Sequence, residues 1–356
     1  MVPSLFFLKM KSILRFAFLM LWVAVAGKAQ QQDSLLHATL LAVGDINLGR
    51  SVGQELLKGR VDYPFEKMTS LFHQADMVFA NLESPISEQH GETQSPTSNI
   101  VFCAPPVAAA SLRNAHITIV STANNHEFDY GTKGLDETIQ CLKEVGIKFA
   151  GTTTDSNTFA PAMLQCHGIT IGVLAYTQLV NFHYGWRGRI SLFDSARAAE
   201  EIRHLKQKVD VVIASFHGGT EYSDMPDTLT NHQLHWLAEC GADLVLGHHP
   251  HVPQGVERYG QSWIVHSLGN AVFYQPQRKW AVWSFAAEFM FEKRNSGTRV
   301  SSIQLIPFRA GYQPTATISA KEADYVITRI SKLSNVIIKK NEQGYFVENT
   351  TATSLH

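Results

Sequence analysis

Apolar runs of strand length alternate with helix-length patterns through most of the chain, and that alternation limits the fold more than any other feature. Strands are expected at 38–43, 77–80, 117–121, 169–175, 209–215, 243–246 and 262–266, with helices at 106–114, 134–145, 195–208 and 230–240. Strands that take turns with helices pair in parallel, because a parallel return needs a crossover long enough to hold a helix. Residues 280–291 and 299–307 have no helix between them and read as antiparallel. Val326, Ile330, Leu333 and Ile337 recur at helical spacing and mark one more helix. So many strands overfill one βαβ sheet. An α/β fold of two stacked mixed sheets flanked by helices is the expectation.

Length and charge exclude little but do exclude something. The 356 residues carry a formal net charge of -1, so there is no broad field to hold nucleic acid, and none is expected as a partner. Lys9, Lys11 and Arg15 precede an apolar run over 16–26, followed by small residues, which is the order of a secretory signal. The run falls short of the roughly 20 residues that span a bilayer. Cleavage is placed after Ala26 or Ala29, with Met10 as a candidate start. The expected order is therefore a signal peptide (1–29), one domain (30–340) and a tail (341–356) that frays from 348. The mature chain is expected to be exported, periplasmic or at the cell surface, with no transmembrane span; an uncleaved anchor is the alternative. Cys103, Cys141, Cys166 and Cys240 are spaced too irregularly for a disulfide scaffold and read as buried free thiols.

The chemistry gathers where strands end. In α/β folds ligands bind outside the carboxyl ends of strands, and each polar cluster here directly follows an expected strand. Asp45 in Gly44-Asp45 offers a hard oxygen, and Glu83 in Asn81-Leu82-Glu83-Ser84-Pro85 offers a second carboxylate. In Asn124-Asn125-His126-Glu127-Phe128-Asp129, Asn125 presents a carbonyl oxygen. His126 is a candidate general acid, oriented by Glu127 or Asp129. His217 ends a very apolar run and precedes two glycines. In Gly247-His248-His249-Pro250-His251, an extended backbone favoured by Pro250 would put His249 and His251 on one side, with His248 as an outer group or third ligand. His232 and His235, three apart on a helix, read as a solvated face.

Taken singly, most of these clusters are equally well read as a turn, a loop acid or a satisfied core histidine. Together they supply two carboxylates, one amide and three histidines, more than the four ligands of a structural zinc. That donor set suits two divalent ions (manganese, iron or zinc) sharing a bridging carboxylate and activating a water for hydrolysis at phosphorus or, less often, at a carbonyl.

The clusters also occur in a familiar order. Gly44-Asp45…Gly49-Arg50, Asn81-Leu82-Glu83-Ser84-Pro85, Asn124-Asn125-His126, Glu221-Tyr222, Gly241-Ala242-Asp243, Gly247-His248-His249-Pro250-His251-Val252 and Ser267-Leu268-Gly269-Asn270 span 38–275. In that order the chain resembles the calcineurin-like metallophosphoesterases. More closely it resembles the bacterial capsule synthesis protein CapA family, the poly-γ-glutamate capsule domain. The resemblance implies a four-layer α/β/β/α sandwich, with Asp45, Glu83, Asn125, His217, His249 and His251 as metal ligands. It implies catalytic work for His126 with Asp129, while Asn47, Asn81 and His248 stand behind the ligands. Asn47 occupies the place of the histidine in the esterases' usual Asp-x-His. A role follows in making, exporting or trimming an anionic surface polymer, with that polymer or a phosphoester as substrate and capsule assembly components as partners. A non-catalytic assembly component is the alternative. Cys103 stands where an arginine is usual, Gly218 replaces a tryptophan, and His266 and Ala271 replace aromatic residues. Loss of a cation at Cys103 is expected to weaken binding of an anion.

Overall fold

The computed structural model describes residues 35–155, 158–181 and 184–348. Its first strand, β1 (Leu36–Ile46), has no solvent face over most of its length. Side chains alternate along a strand, so β1 needs a layer on each side. Leu40 and Ala42 enter one apolar cluster, and Leu41 and Val43 enter another.

From β1 the chain runs through α1 (Arg50–Leu57), α2 (Thr69–Phe72), β2 (Met77–Leu82), α3 (Ala108–Asn114), β3 (Ile119–Ser121), α4 (Gly131–Glu144) and β4 (Lys148–Ala150). It continues with β5 (Ala162–Cys166), β6 (Ile169–Thr177), α5 (Ser195–Lys206), β7 (Val211–His217), α6 (Thr228–Glu239), β8 (Leu244–His248), β9 (Val256–Tyr259) and β10 (Ser262–Val265). Last come β11 (Trp283–Arg294), β12 (Gly297–Arg309), α7 (Ala320–Leu333), β13 (Ile338–Asn341) and β14 (Gly344–Val347). Helices α5 and α6 start where Asp194 and Asp227 accept the N–H groups of Arg197 and Thr230, at 2.8 Å each.

Two mixed sheets result. One has the order β13-β14-β12-β11-β1-β2-β3-β4 and the other β5-β6-β7-β8-β10-β9. Strands β1 to β4 run parallel to one another, as do β6, β7, β8 and β10. The long hairpin β11–β12 lies antiparallel against β1. Between the sheets Leu40, Phe79, Ile171, Ile213, Leu246 and Phe289 form one core. On the outer face of the first sheet, Val78 and Ala80 pack with Val52, Leu112 and Leu142 from α1, α3 and α4. Tyr176, Val212 and Phe216 of the second sheet pack with Ala198, Ile202, Leu234 and Leu237 from α5 and α6. Three separate apolar layers make the four-layer α/β/β/α sandwich.

Several boundaries differ from expectation. The C-terminal helix ends at Leu333, because Ser334 turns to an extended conformation; Ile337 lies beyond it and is exposed. The tail expected from 341 instead begins with the β13–β14 hairpin, and β14 pairs with β12. Strands β4, β5 and β9 and helices α1 and α2 were not legible as elements. The four cysteines are free, but only Cys103 is fully buried. Among the described residues no helix is long and apolar enough to cross a membrane. The signal peptide expected at 1–29 and the tail residues 349–356 lie outside the described residues.

Candidate metal centre

β1, β2 and β3 are neighbours in one sheet, and β7 and β8 are neighbours in the other. Their carboxyl ends deliver Asp45, Glu83, Asn125, His217 and the 248–251 run to one place. Two glycines make the approach tight enough. A Cβ on Gly44 would sit 1.8 Å from the carbonyl oxygen of Gly269, and one on Gly247 would sit 1.9 Å from that of His266. The segment after β10 therefore lies against both sheets, and Asp45 bridges to Asn270.

All six expected ligands are almost fully buried. His217 Nε2 lies 2.8 Å from Asn125 Oδ1 and 3.2 Å from His249 Nδ1. Glu83 Oε1 is 3.8 Å from both His217 Nε2 and His251 Nε2, and it has no hydrogen-bond partner. Asp45 Oδ2 is 3.2 Å from His251 Nδ1. At this site two groups have donor atoms mutually within 4.8 Å, Glu83 with His217 and His249, and Asp45 with Glu83 and His251. Glu83 belongs to both. A third such group, Asp76 with Cys166 and His167, lies elsewhere and is partly exposed.

The electrostatics fit a cation. Burial, then the charge of Asp45, pushes the Glu83 carboxyl well above its usual range. Asp45 is held well below the carboxylate range: burial opposes this, but His248 and His251 outweigh it. Two buried carboxylates this close do not both ionise unless a positive charge stands between them. Burial, then the His249 ring, holds His217 well below the usual imidazole value. Burial and then His251 push His249 down to about 3. Neutral imidazole is the ligating form.

Around these donors stands a hydrogen-bonded frame. Asn81 Nδ2 donates to Asp45 Oδ1 (2.9 Å) and Glu83 Oε2 (3.3 Å) and lies 3.2 Å from His217 Nδ1. Asn124 donates to Leu82 O and Asn81 Oδ1. His126 Nδ1 is 2.9 Å from Asp129 Oδ2, and its ring stacks on Phe102 at 4.2 Å. Asp129 is thus the residue that orients His126. Glu127 points elsewhere, with both carboxylate oxygens buried.

Other expectations change. His249 and His251 do not converge through an extended strand: β8 ends at His248, and their φ angles are +96° and +58°. Left-handed turns in a loop, rather than strand alternation, aim the two rings. Asn47 Oδ1 accepts the Gly49 N–H at 2.9 Å, so it closes a local turn instead of facing the donors. His248 is buried with both ring nitrogens unpartnered, its Nδ1 3.3 Å from Asp45 Oδ1 but not aligned for a hydrogen bond. His232 is exposed as expected, whereas His235 is only half-buried and, with His266, clasps Glu257 Oε2, each at 2.9 Å. Cys103 is turned inward toward the carbonyls of Ser87 and Ala104, and burial pushes its thiol up to about 12.

Two neighbours of the ligands were given no role from the sequence, although Asn270 closes one of the matched stretches. Asn270 Oδ1 is 3.0 Å from His251 Nδ1. Asn181 Oδ1 accepts from Asn125 Nδ2 at 3.3 Å, and its Nδ2 is 3.4 Å from His126 Nδ1. Asn181 follows the end of β6, so the strand-end rule applied to every strand would have found it.

Residues 39–275 match the bacterial capsule synthesis protein family PGA_cap. The chain belongs to that family. It is 28% identical over 322 residues to the capsule biosynthesis protein CapA of Bacillus anthracis, covering 87% of this chain and 76% of the relative. To the PGA biosynthesis protein CapA of Bacillus subtilis (strain 168) it is 26% identical over 334 residues, covering 91% and 85%. Among solved structures, the calcineurin-like phosphoesterase YfkN from Bacillus subtilis aligns over 84% of this chain and 98% of that one, with 14% identity and a TM-score of 0.44. In this PGA_cap chain the matched span holds all six expected ligands and the His126–Asp129 pair. Hairpin β11–β12 and helix α7 lie beyond it.

Proposed function

We propose that this chain is an exported, metal-dependent hydrolase that acts on an anionic surface polymer during capsule formation. The observation that carries the reading is Glu83, a fully buried carboxylate common to both donor groups, as a bridging ligand between two divalent ions would be. One ion would be held by Asp45, Glu83 and His251, the other by Glu83, Asn125, His217 and His249. Such a pair, when bound, supplies Lewis acidity and a water acidified to near neutrality.

The chain's own residues would do the rest. Asn81 orients Asp45 and Glu83, and Asn270 holds His251 by its Nδ1. Asp129 Oδ2, 2.9 Å from His126 Nδ1, fixes the ring, so that Nε2 is left to pass a proton to a leaving oxygen or amine nitrogen. Phe102 stacked on His126 keeps water from one ring face. The basic and apolar order of residues 9–29 supports export.

The test is elemental analysis of the mature protein beside its His251→Ala variant, followed by hydrolysis assays on a phosphodiester and a γ-glutamyl oligomer with manganese, iron or zinc. Two metals per chain, lost together in the variant, and cleavage of either substrate are expected. A fully loaded protein that cleaves neither would sink the hydrolase reading. Amino-terminal sequencing of the protein in a producing cell tests export.

A further inference from the structure

Arg50 and Arg278 each lie on an aromatic ring close to a histidine of the site, and neither forms an ion pair among the described residues. Arg50 lies with its guanidinium carbon 4.5 Å from the Phe102 ring centre and 5.9 Å from that of Phe273. Phe102 is the ring that stacks on His126, and Phe273 is 4.8 Å from the His251 ring. Arg50 Nη2 donates to the carbonyl of Asn99, but its Nε is buried without a partner. Arg278 lies 4.5 Å above the Tyr222 ring, itself 6.1 Å from His251. Tyr222 is pinned to the ligand loop through its N–H to Pro250 O at 2.8 Å. Its hydroxyl accepts from Gln275, which in turn accepts from Asn270, the residue against His251.

Backbone conformation links the same residues. Among the described residues, seven non-glycine positions have φ in the left-handed region: Arg50, His90, His116, His167, Tyr222, His249 and His251. Four of them, Arg50, Tyr222, His249 and His251, belong to this one site. Such conformations persist only where the surroundings enforce them, and they gather at functional sites. The chain thus bears strain to aim Arg50 and the platform under Arg278 as well as the two histidines.

We propose that Arg50 and Arg278 form an anion clamp that holds carboxylate or phosphate groups of the substrate on either side of the bond at the metal centre. The assignment rests on the proposed reading of that centre as the place where substrate is handled. A guanidinium on an aromatic face is preoriented and keeps its outer N–H groups free for a planar oxyanion. Three carboxylates lie near the clamp: Glu83 sits among the metal donors, Asp129 is bonded to His126, and Glu221 is exposed to water beside the Tyr222 hydroxyl.

Calorimetric titration of manganese-loaded protein tests the clamp with three probes: a γ-glutamate oligomer, an oligomer of phosphodiester-linked glycerol, and the amidated, neutral γ-glutamate oligomer. Binding of one anionic probe should weaken about tenfold in Arg278→Met and again in Arg50→Met, with metal content unchanged. The probe that shows this dependence identifies carboxylate or phosphate as the group held. The neutral oligomer should bind all forms equally weakly. Arg278 is exposed, so its variant keeps the test sound should Arg50→Met fail to fold. Equal affinities of wild type and Arg278→Met for both anionic probes would overturn the clamp. The readout is affinity rather than product, so arginine-dependent binding by a protein that cleaves nothing would uphold the clamp while removing the hydrolase.

Discussion

His126 Nδ1 and Asp129 Oδ2 are 2.9 Å apart, with both side chains almost out of solvent. Burial raises the Asp129 carboxyl, and His126 is the first of the groups that draw it back. Such a pair suits a proton donor whose ring must not rotate. Asp129→Asn should keep the ring in place but remove the carboxylate that faces its Nδ1, lowering kcat by about 10²-fold with KM and metal content little changed. His126→Asn should cost at least as much. Equal kcat in wild type and both variants on a substrate with a poor leaving group would remove His126 from the chemistry.

Glu83→Gln should have opposite effects with and without metal. In chelator-treated protein it removes a buried carboxylate that burial and Asp45 both oppose, so the variant should melt above the wild type. With manganese at about 100 times the wild-type dissociation constant, the wild type should gain about 2.7 kcal/mol for each bound ion and the variant far less. Thermal melts with and without manganese decide this. Equal gains in the two proteins would show that Glu83 holds no ion.

Glu127 offers a pH test away from the donors. Both its oxygens are buried, and burial raises its carboxyl well above the ordinary value of 4.5, with the Thr138 hydroxyl opposing this only in part. In the unfolded chain the group ionises near 4.5; in the fold it holds its proton to higher pH. The folded state therefore binds more protons in that window, and stability falls as pH rises from about 4.5 toward the folded value. Glu127→Gln, measured with chelator, should match the wild type near pH 4 and exceed it by about 1–3 kcal/mol near pH 8. A difference that did not grow with pH would mean that the carboxylate has a further partner or reaches water.

Much of this architecture was legible because its local signals agree with its packing. β1 has an apolar run, a glycine and then an acid, and each is used: Leu40 and Leu41 face opposite layers, Gly44 admits Gly269, and Asp45 ends the strand. The short strands β4 and β9 were not legible, because three or four residues carry too little periodicity and are defined only by the neighbours they pair with. At the site, residue types revealed the donors but not how they converge. His249 and His251 meet through positive φ, which neighbouring chain enforces and composition does not announce. Asn181 is ordinary in sequence and acquires meaning only where the loop after β6 meets Asn125.

The backbone approach at Gly247 gives a test of that convergence. A methyl group there would stand 1.9 Å from His266 O and 2.9 Å from Val265 O, both backbone atoms that no side-chain rotation can relieve. Either β8 or the segment after β10 must shift. β8 leads directly into His249 and His251, and the other segment carries Asn270 against His251. Gly247→Ala should therefore lose about 1–3 kcal/mol of stability and most of its metal together. Gly311→Ala is the control, since its Cβ would meet only Tyr274 Cδ2 at an ordinary 3.8 Å. Its effect should be near neutral, with full metal content. Melting and elemental analysis of both variants settle the matter: a Gly247→Ala protein that retains full metal would show that the close packing of these segments does not set the donor geometry.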